Sequence, residues 1–292
     1  MLLNTFEYVK PGSLTEVLVV LDELRGKKTQ VLAGGTDLIP SLRARTKAAD
    51  YVVDLAAAGL DQVIFEKDQV RIGALVTFAA LCHHQEIQAK LPVIVDAAGK
   101  IGAVQTRVLA TIGGNLCEGV PSNDSAPPML VLDAKFRLQA KGKERLVAVE
   151  NFFVGPRRTL LEPGEIMTEI LIPLRAEFHA SFLRFGRRKA LTLAVASAAA
   201  GLAVSDSGQI VQARVALGAV APTPVRARKA EQILHGAKIT PGLLAEAAAM
   251  AATEISPISD LRGSADYRRK ISAVLVRRTL ENALGQATGV RQ

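Results

Sequence analysis

The sequence predicts an α+β protein built as two domains. Three observations carry that reading. Strand-like and helix-like runs mix without regular alternation, two glycine-rich segments interrupt the first half, and the composition shifts between Leu174 and His179. A regular βαβαβ period would instead argue for a doubly wound parallel sheet. The 292 residues suffice for two domains and a substantial core, since domains cluster near roughly 100–150 residues.

The elements follow from local pattern. Thr29–Ala33 is a short apolar strand running into Gly34-Gly35, after which Thr36 and Asp37 open a short helix to Leu42. Pro40 is tolerated in that helix's first turn. Tyr51–Leu55 is a second strand, and Gln62–Phe65 with Gln69–Ala74 forms a hairpin around Glu66-Lys67-Asp68. Thr77 caps a helix reaching Ile87, and Pro92 starts another that ends near Gly99 or Gly102. Val120–Pro128, rich in Pro, Ser, Asn and Asp, is a loop. Ala134–Ala140 and Arg145–Val149 form a second hairpin, and Ile166–Ile172 is the last strand before Pro173.

Beyond the shift, Ala180–Phe185, Thr192–Val204 and Gln209–Val220 read as three antiparallel strands, the last two joined by Asp206-Ser207-Gly208. Helical patterns follow at Val225–Leu234, Pro241–Thr253 and Ser264–Leu284. The expected domains are therefore residues 1–175 and a separate small α+β domain at 176–292.

Composition excludes several classes. Hydrophobic residues make up 49% and charged residues 22%, ordinary for a soluble globular protein. The start, MLLNTFEYVKPGS, has no basic region followed by a long apolar one. The weakly polar run Ala190–Val204 is shorter than the roughly 20 residues of a membrane span. The expected location is the cytoplasm. Cys82 and Cys117 are the only cysteines, too few for a cluster or structural zinc site with about four ligands; free thiols are expected. His83 and His84 are adjacent, so their side chains diverge on a helix, and a capping or surface role is expected rather than chelation.

The net charge of +8 invites a nucleic-acid reading, with basic clusters at Arg184/Arg187/Arg188/Lys189, Arg226/Arg228/Lys229, Arg268/Arg269/Lys270 and Arg277/Arg278. With 4% aromatic residues and no Trp, stacking platforms are scarce. The expectation is no nucleic-acid partner, and basic faces that dock an acidic protein or are solvated.

The chemistry-bearing motifs are Ala33-Gly34-Gly35-Thr36-Asp37 and Thr111-Ile112-Gly113-Gly114-Asn115. Paired glycines let backbone N–H groups close on a bulky anion without an intervening Cβ. Two such loops facing one another suit a pyrophosphate, hence a dinucleotide. Neither loop is the G-x-G-x-x-G fingerprint, and neither carries the Lys-Ser/Thr pair of a P-loop, so any dinucleotide binds in another geometry.

The run Val31-Leu32-Ala33-Gly34-Gly35-Thr36-Asp37-Leu38-Ile39-Pro40 resembles the first flavin loop of the FAD-binding (medium) subunits of molybdenum hydroxylases. This is the carbon monoxide dehydrogenase, xanthine dehydrogenase and nicotinate dehydrogenase type. Thr111 to Cys117 resembles their second flavin loop. Further matches are Phe6-x-Tyr8-x-x-Pro11, Phe152-Phe153-x-Gly155, Leu217-Gly218-x-Val220-Ala221-Pro222 and Arg262-x-Ser264-Ala265-x-Tyr267-Arg268.

The resemblance implies a two-lobed FAD-binding domain of the vanillyl-alcohol-oxidase/p-cresol-methylhydroxylase type, with lobes at about 1–57 and 58–175. A small C-terminal α+β domain, a three-stranded antiparallel sheet with helices, follows. By the same resemblance Leu32, Ala33, Gly34, Gly35, Thr36, Asp37 and Leu38, with Ala110, Thr111, Ile112, Gly113, Gly114 and Asn115, surround the FAD diphosphate and ribityl chain. Asp124 bonds sugar or ribityl hydroxyls, and Ile166 and Met167 meet the cofactor. Arg184 stands where many relatives carry a flavin-proximal lysine, and Gln105–Ala110 departs from the usual run before the second loop.

The implied function is electron transfer. Electrons arrive from 2Fe–2S clusters on a small partner subunit, pass through FAD, and leave to NAD+, oxygen or another acceptor. A large molybdopterin subunit completes a heterotrimer, expected as a dimer of heterotrimers, a heterohexamer. The alternatives are a self-contained flavin oxidase or reductase of the same broad fold, and an assembly subunit that has lost FAD.

Overall fold

The computed structural model describes residues 4–288. Residues 1–3, where the N-terminal reading begins, and 289–292, the end of the expected second domain, lie outside the described residues.

A small parallel sheet comes first. β1 (Glu7–Val9), α1 (Leu14–Glu23), β2 (Thr29–Leu32), α2 (Leu38–Arg43) and β3 (Tyr51–Asp54) follow one another, with β3 central in the order β1-β3-β2. Sequence pattern missed β1 and α1. The signal for α1 is its first turn. The Ser13 hydroxyl accepts from the Glu16 N–H at 3.3 Å, and the Glu16 carboxylate accepts from the Gly12 N–H at 2.7 Å. Val17 and Leu21 then bury against Val53 and Leu55.

The second lobe is an antiparallel sheet covered by short helices. Its elements are β4 (Val63–Phe65), β5 (Gln69–Gly73), α3 (Phe78–His83), α4 (Gln85–Lys90), α5 (Pro92–Ala98), α6 (Val104–Leu109), α7 (Ile112–Glu118), α8 (Ala126–Val131), β6 (Lys135–Ala140), β7 (Lys143–Ala148), α9 (Val149–Phe152), β8 (Phe153–Gly155), β9 (Arg158–Thr159) and β10 (Ile166–Pro173). The sheet runs β4-β5-β10-β6-β7. The helix expected from Thr77 to Ile87 is two helices. His84 turns to an extended ψ of 111°, and its Nδ1 accepts the Ile87 N–H at 3.4 Å to restart the chain as α4. The expected loop 120–128 ends early, because Pro127 and Pro128 sit in the first turn of α8, where a missing N–H costs no helical bond.

The remaining chain forms an antiparallel sheet, β11 (His179–Gly186), β12 (Ala194–Val204), β13 (Ile210–Gly218) and β14 (Val225–Arg226), with α10 (Arg228–Leu234), α11 (Pro241–Ala251) and α12 (Ala265–Thr288). The expected three-stranded sheet thus carries a fourth, two-residue strand. Val225 and Arg226 pair with Leu217 and Ala216, so the helix expected from Val225 begins only at Arg228.

This last unit packs closely on the second lobe. On one face, Ala196, Ala198, Ala200 and Leu202 of β12 share a core with α10, α11 and α12. On the other, Phe182, Ala199 and Ala216 belong to the core of the second lobe, against α5 and α8. A strand buried on both faces at close range needs small side chains, hence Ala-Val-Ala-Ser-Ala-Ala-Ala-Gly at 194–201. At Gly201 a Cβ would lie 2.4 Å from the Phe178 ring.

An ion-pair knot ties the same junction. Asp133, in the left-handed region at φ 51°, meets Arg175 at 2.7 Å, Arg214 at 3.2 Å and Arg226 at 3.0 Å. Burial alone would raise its carboxyl. The Arg175 hydrogen bond and the Arg214 and Arg226 charges outweigh burial and hold it below the usual range.

Candidate functional site

The two glycine segments meet. Ala33, Gly34, Gly35, Thr36, Asp37 and Leu38 line one side of a cavity whose other side is Ala110, Thr111, Gly114 and Asn115. The first segment leaves the C-terminal end of β2, the edge at which open parallel sheets receive ligands. The approach is close enough to require glycine. A Cβ on Gly34 would lie 1.9 Å from the Leu109 carbonyl oxygen, and Gly35 has φ +69°.

The segments are not equivalent. Among the described residues, no protein acceptor takes the N–H groups of Gly34, Gly35, Thr36 or Asp37. The second segment is the start of α7 rather than an open loop. Ile112 donates to Val76 O at 3.0 Å, Gly113 to Ala74 O at 2.9 Å and Asn115 to Thr111 O at 3.0 Å. The Thr111 hydroxyl caps the helix by accepting the Gly114 N–H at 3.2 Å. Gly113 faces inward, where a Cβ would lie 2.5 Å from Ala74. Donors for an anion therefore concentrate on the first loop.

Several lining residues lie outside the site set expected from sequence. Lys47 and Glu118 pair at 2.8 Å on the cavity wall, and Arg157 binds the second oxygen of Glu118. Thr106 also lines the wall. No local pattern marks them, because Lys47 lies in an irregular segment and Glu118 is the last residue of a short helix. The Asp37 carboxyl there is raised by partial desolvation and then by the Glu118 charge, against the Arg157 and Lys47 charges.

Asp124 and Arg184 form a second polar centre where the last sheet meets the second lobe. Their side chains are buried, at 6% and 5% exposure, and ion-paired. Asp124 is held by its neighbours. The Asn123 amide donates to Asn115 O at 2.7 Å, and the Ser125 hydroxyl lies 2.8 Å from Asn115 Oδ1 and 2.7 Å from Asn123 Oδ1. Arg184 also donates to Thr192 O at 2.9 Å. Burial raises the Asp124 carboxyl to about 6 although Arg184 pulls it down. Its Oδ1 has no hydrogen-bond partner, and neither has buried Ser197 Oγ, whose residue pairs with Arg184 across β11 and β12.

The other expected residues lie apart from the cavity. Leu32 closes β2, Ile112 is buried at the start of α7, Ile166 packs on Val17 and Leu21, and Met167 joins the second-lobe core. The thiols are free. Burial pushes Cys117 up to about 12. Some members of the basic clusters are engaged internally, whereas Arg187, Arg188 and Lys189 are exposed. Arg226 is held by Asp133, Glu150 and Glu231. Arg268 donates to Val195 O, Ala219 O and Asp260. No helix among the described residues is long and apolar enough to cross a membrane.

These features fit FAD: unspent backbone donors suit a diphosphate, and the orphaned Asp124 Oδ1 suits a hydroxyl donor. Fold and cavity together define a two-lobed flavin-binding protein with an appended α+β domain.

The comparisons agree. A family described as "FAD binding domain in molybdopterin dehydrogenase" matches residues 4–175, and one described as "CO dehydrogenase flavoprotein C-terminal domain" matches 181–283. The chain is 36% identical to the carbon monoxide dehydrogenase medium chain of Afipia carboxidovorans, over 98% of this chain and 99% of that protein. It is 29% identical to a putative xanthine dehydrogenase FAD-binding subunit of Escherichia coli, over 98% of both. It superposes on a chain of the carbon monoxide dehydrogenase of Hydrogenophaga pseudoflava with TM-score 0.93 and 33% identity, covering 98% and 99%. The chain belongs to the FAD-binding medium subunits of the molybdenum-containing dehydrogenases, a family of oxidoreductases.

Proposed function

We propose that the chain is the electron-transfer subunit of a molybdenum hydroxylase. It binds FAD noncovalently in the glycine-lined cavity and takes electrons from 2Fe–2S clusters of a small partner subunit. A large molybdopterin subunit carries the substrate chemistry, in a dimer of heterotrimers, and the complex acts in the cytoplasm. The end-to-end correspondence with proteins named medium chains is the observation that carries this reading.

The geometry supports a role for several of the chain's own residues. The free N–H groups of Gly34, Gly35, Thr36 and Asp37 hold the diphosphate, while Thr111 and Asn115 shape the opposite wall. Asp124 Oδ1 accepts from a sugar or ribityl hydroxyl. Arg184, fixed by Asp124 and Thr192 O, keeps a positive charge that favours negative charge developing nearby. Bound FAD supplies chemistry in both one- and two-electron steps. NAD+, oxygen or another acceptor then takes the electrons.

The test is the visible spectrum of the purified chain with and without FAD, followed by acid precipitation and by co-purification with the two partner subunits. Flavin released by acid and a stable three-subunit complex are expected. Flavin retained in the pellet, with turnover of an organic substrate by the isolated chain, would replace this reading with the self-contained oxidase.

A further inference from the structure

We propose that Lys47 binds the FAD diphosphate by exchanging its ion-pair partner, leaving Glu118 to Arg157. The proposal rests on the reading that the glycine cavity holds that diphosphate. Lys47 is the only cationic side chain among the described residues lining the cavity, which also carries the carboxylates of Asp37 and Glu118. A diphosphate entering beside two carboxylates needs a compensating charge. Lys47 lies on the first lobe and Glu118 at the end of α7, so their 2.8 Å contact joins the two sides of the cavity wall.

The exchange leaves no charge stranded. Glu118 is only 13% exposed, yet each of its oxygens has its own cation: Oε2 takes Lys47 and Oε1 takes Arg157. Arg157 is directed there by its backbone. At φ 57° it sits in the left-handed region, and its N–H donates at 2.8 Å to Gly119 O, just past the end of α7. Lys47 can leave while Glu118 stays paired. The flexible Lys47 stem, 34% exposed, can turn without unpacking a core.

FAD affinity of the full-length apo chain, measured by flavin fluorescence across a salt series, tests this. Lys47→Met is expected to weaken binding about tenfold or more at low salt, as for a charge-assisted hydrogen bond. It should also flatten the salt dependence, with Lys47→Arg restoring most of both. The Lys47→Met effect should persist in a Glu118→Gln background, because the lysine acts on phosphate. An unchanged affinity, an unchanged salt slope, or an effect that vanishes with Glu118→Gln would overturn the proposal. Hydrogen exchange on FAD addition separates this from the underlying site assignment. Protection of 33–38 upholds the glycine cavity whatever Lys47 does; its absence there, with FAD bound, removes the site reading and this proposal with it.

Discussion

Arg184 and Asp124, sixty residues apart in the chain, meet as a buried ion pair where the last sheet packs on the second lobe. The pair is only half satisfied, since Asp124 Oδ1 has no partner. The carboxyl is therefore unusually costly to ionise without a ligand donor beside it.

The sign of the resulting pH dependence follows. The folded-state value near 6 lies above the ordinary 3.8, so the neutral form favours folding. That contribution is complete below pH 3.8 and lost as pH rises through about 6, a change of about 3 kcal/mol. Relative to Asp124→Asn, the apo wild type should lose stability between pH 4 and pH 7, read by chemical denaturation. Parallel curves for the two proteins would contradict it.

Gly34→Ala forces a Cβ to within 1.9 Å of the Leu109 carbonyl oxygen. Neither backbone can yield without opening the contact between the two glycine segments. A loss of at least about 2 kcal/mol is expected, together with loss of FAD on gel filtration. The control Gly12→Ala, with only the Glu16 carboxylate nearby, should retain both.

Phe182, 2% exposed, belongs to the second-lobe core although it lies on the last sheet. Phe182→Ala should cost about 3–5 kcal/mol. Because the two domains share this core, calorimetry should show one cooperative transition that moves as a whole, not a shifted second peak.

Asp133 predicts acid sensitivity of the same junction. Its carboxyl is depressed, so its stabilisation is present above the ordinary 3.8 and lost as pH falls below that value. Asp133→Asn should destabilise the chain by about 1–3 kcal/mol at pH 7 by removing the charge that Arg175, Arg214 and Arg226 share. The difference from wild type should shrink toward pH 2 in urea titrations.

Much of the fold was legible locally. The hairpin at Val63–Gly73, the strands flanking the first glycine loop, and α11 behind its Thr240 cap all declare themselves by alternation, turn residues or caps. Short elements did not. β1, α6, β8 and β9 are too brief for periodicity to register, and tertiary contact holds them, whereas the signal for α1 is its capping box at Ser13 and Glu16. The division at His84 was hidden because a histidine cap lies inside an otherwise continuous helical pattern.

The site divided along the same line. Sequence alone determined the Gly34-Gly35 turn and the family to which the two glycine motifs belong, because glycine freedom is a property of a few adjacent residues. Only the tertiary structure decided that the second glycine pair spends its N–H groups on Ala74 O and on the Thr111 cap. It alone brought Lys47 and Arg157 to opposite oxygens of Glu118, locked Arg184 on Asp124, and packed the last sheet on the second lobe through Phe182, Ala199 and Ala216. Those outcomes depend on charge pairing and close packing between segments distant in the chain, which no local pattern encodes.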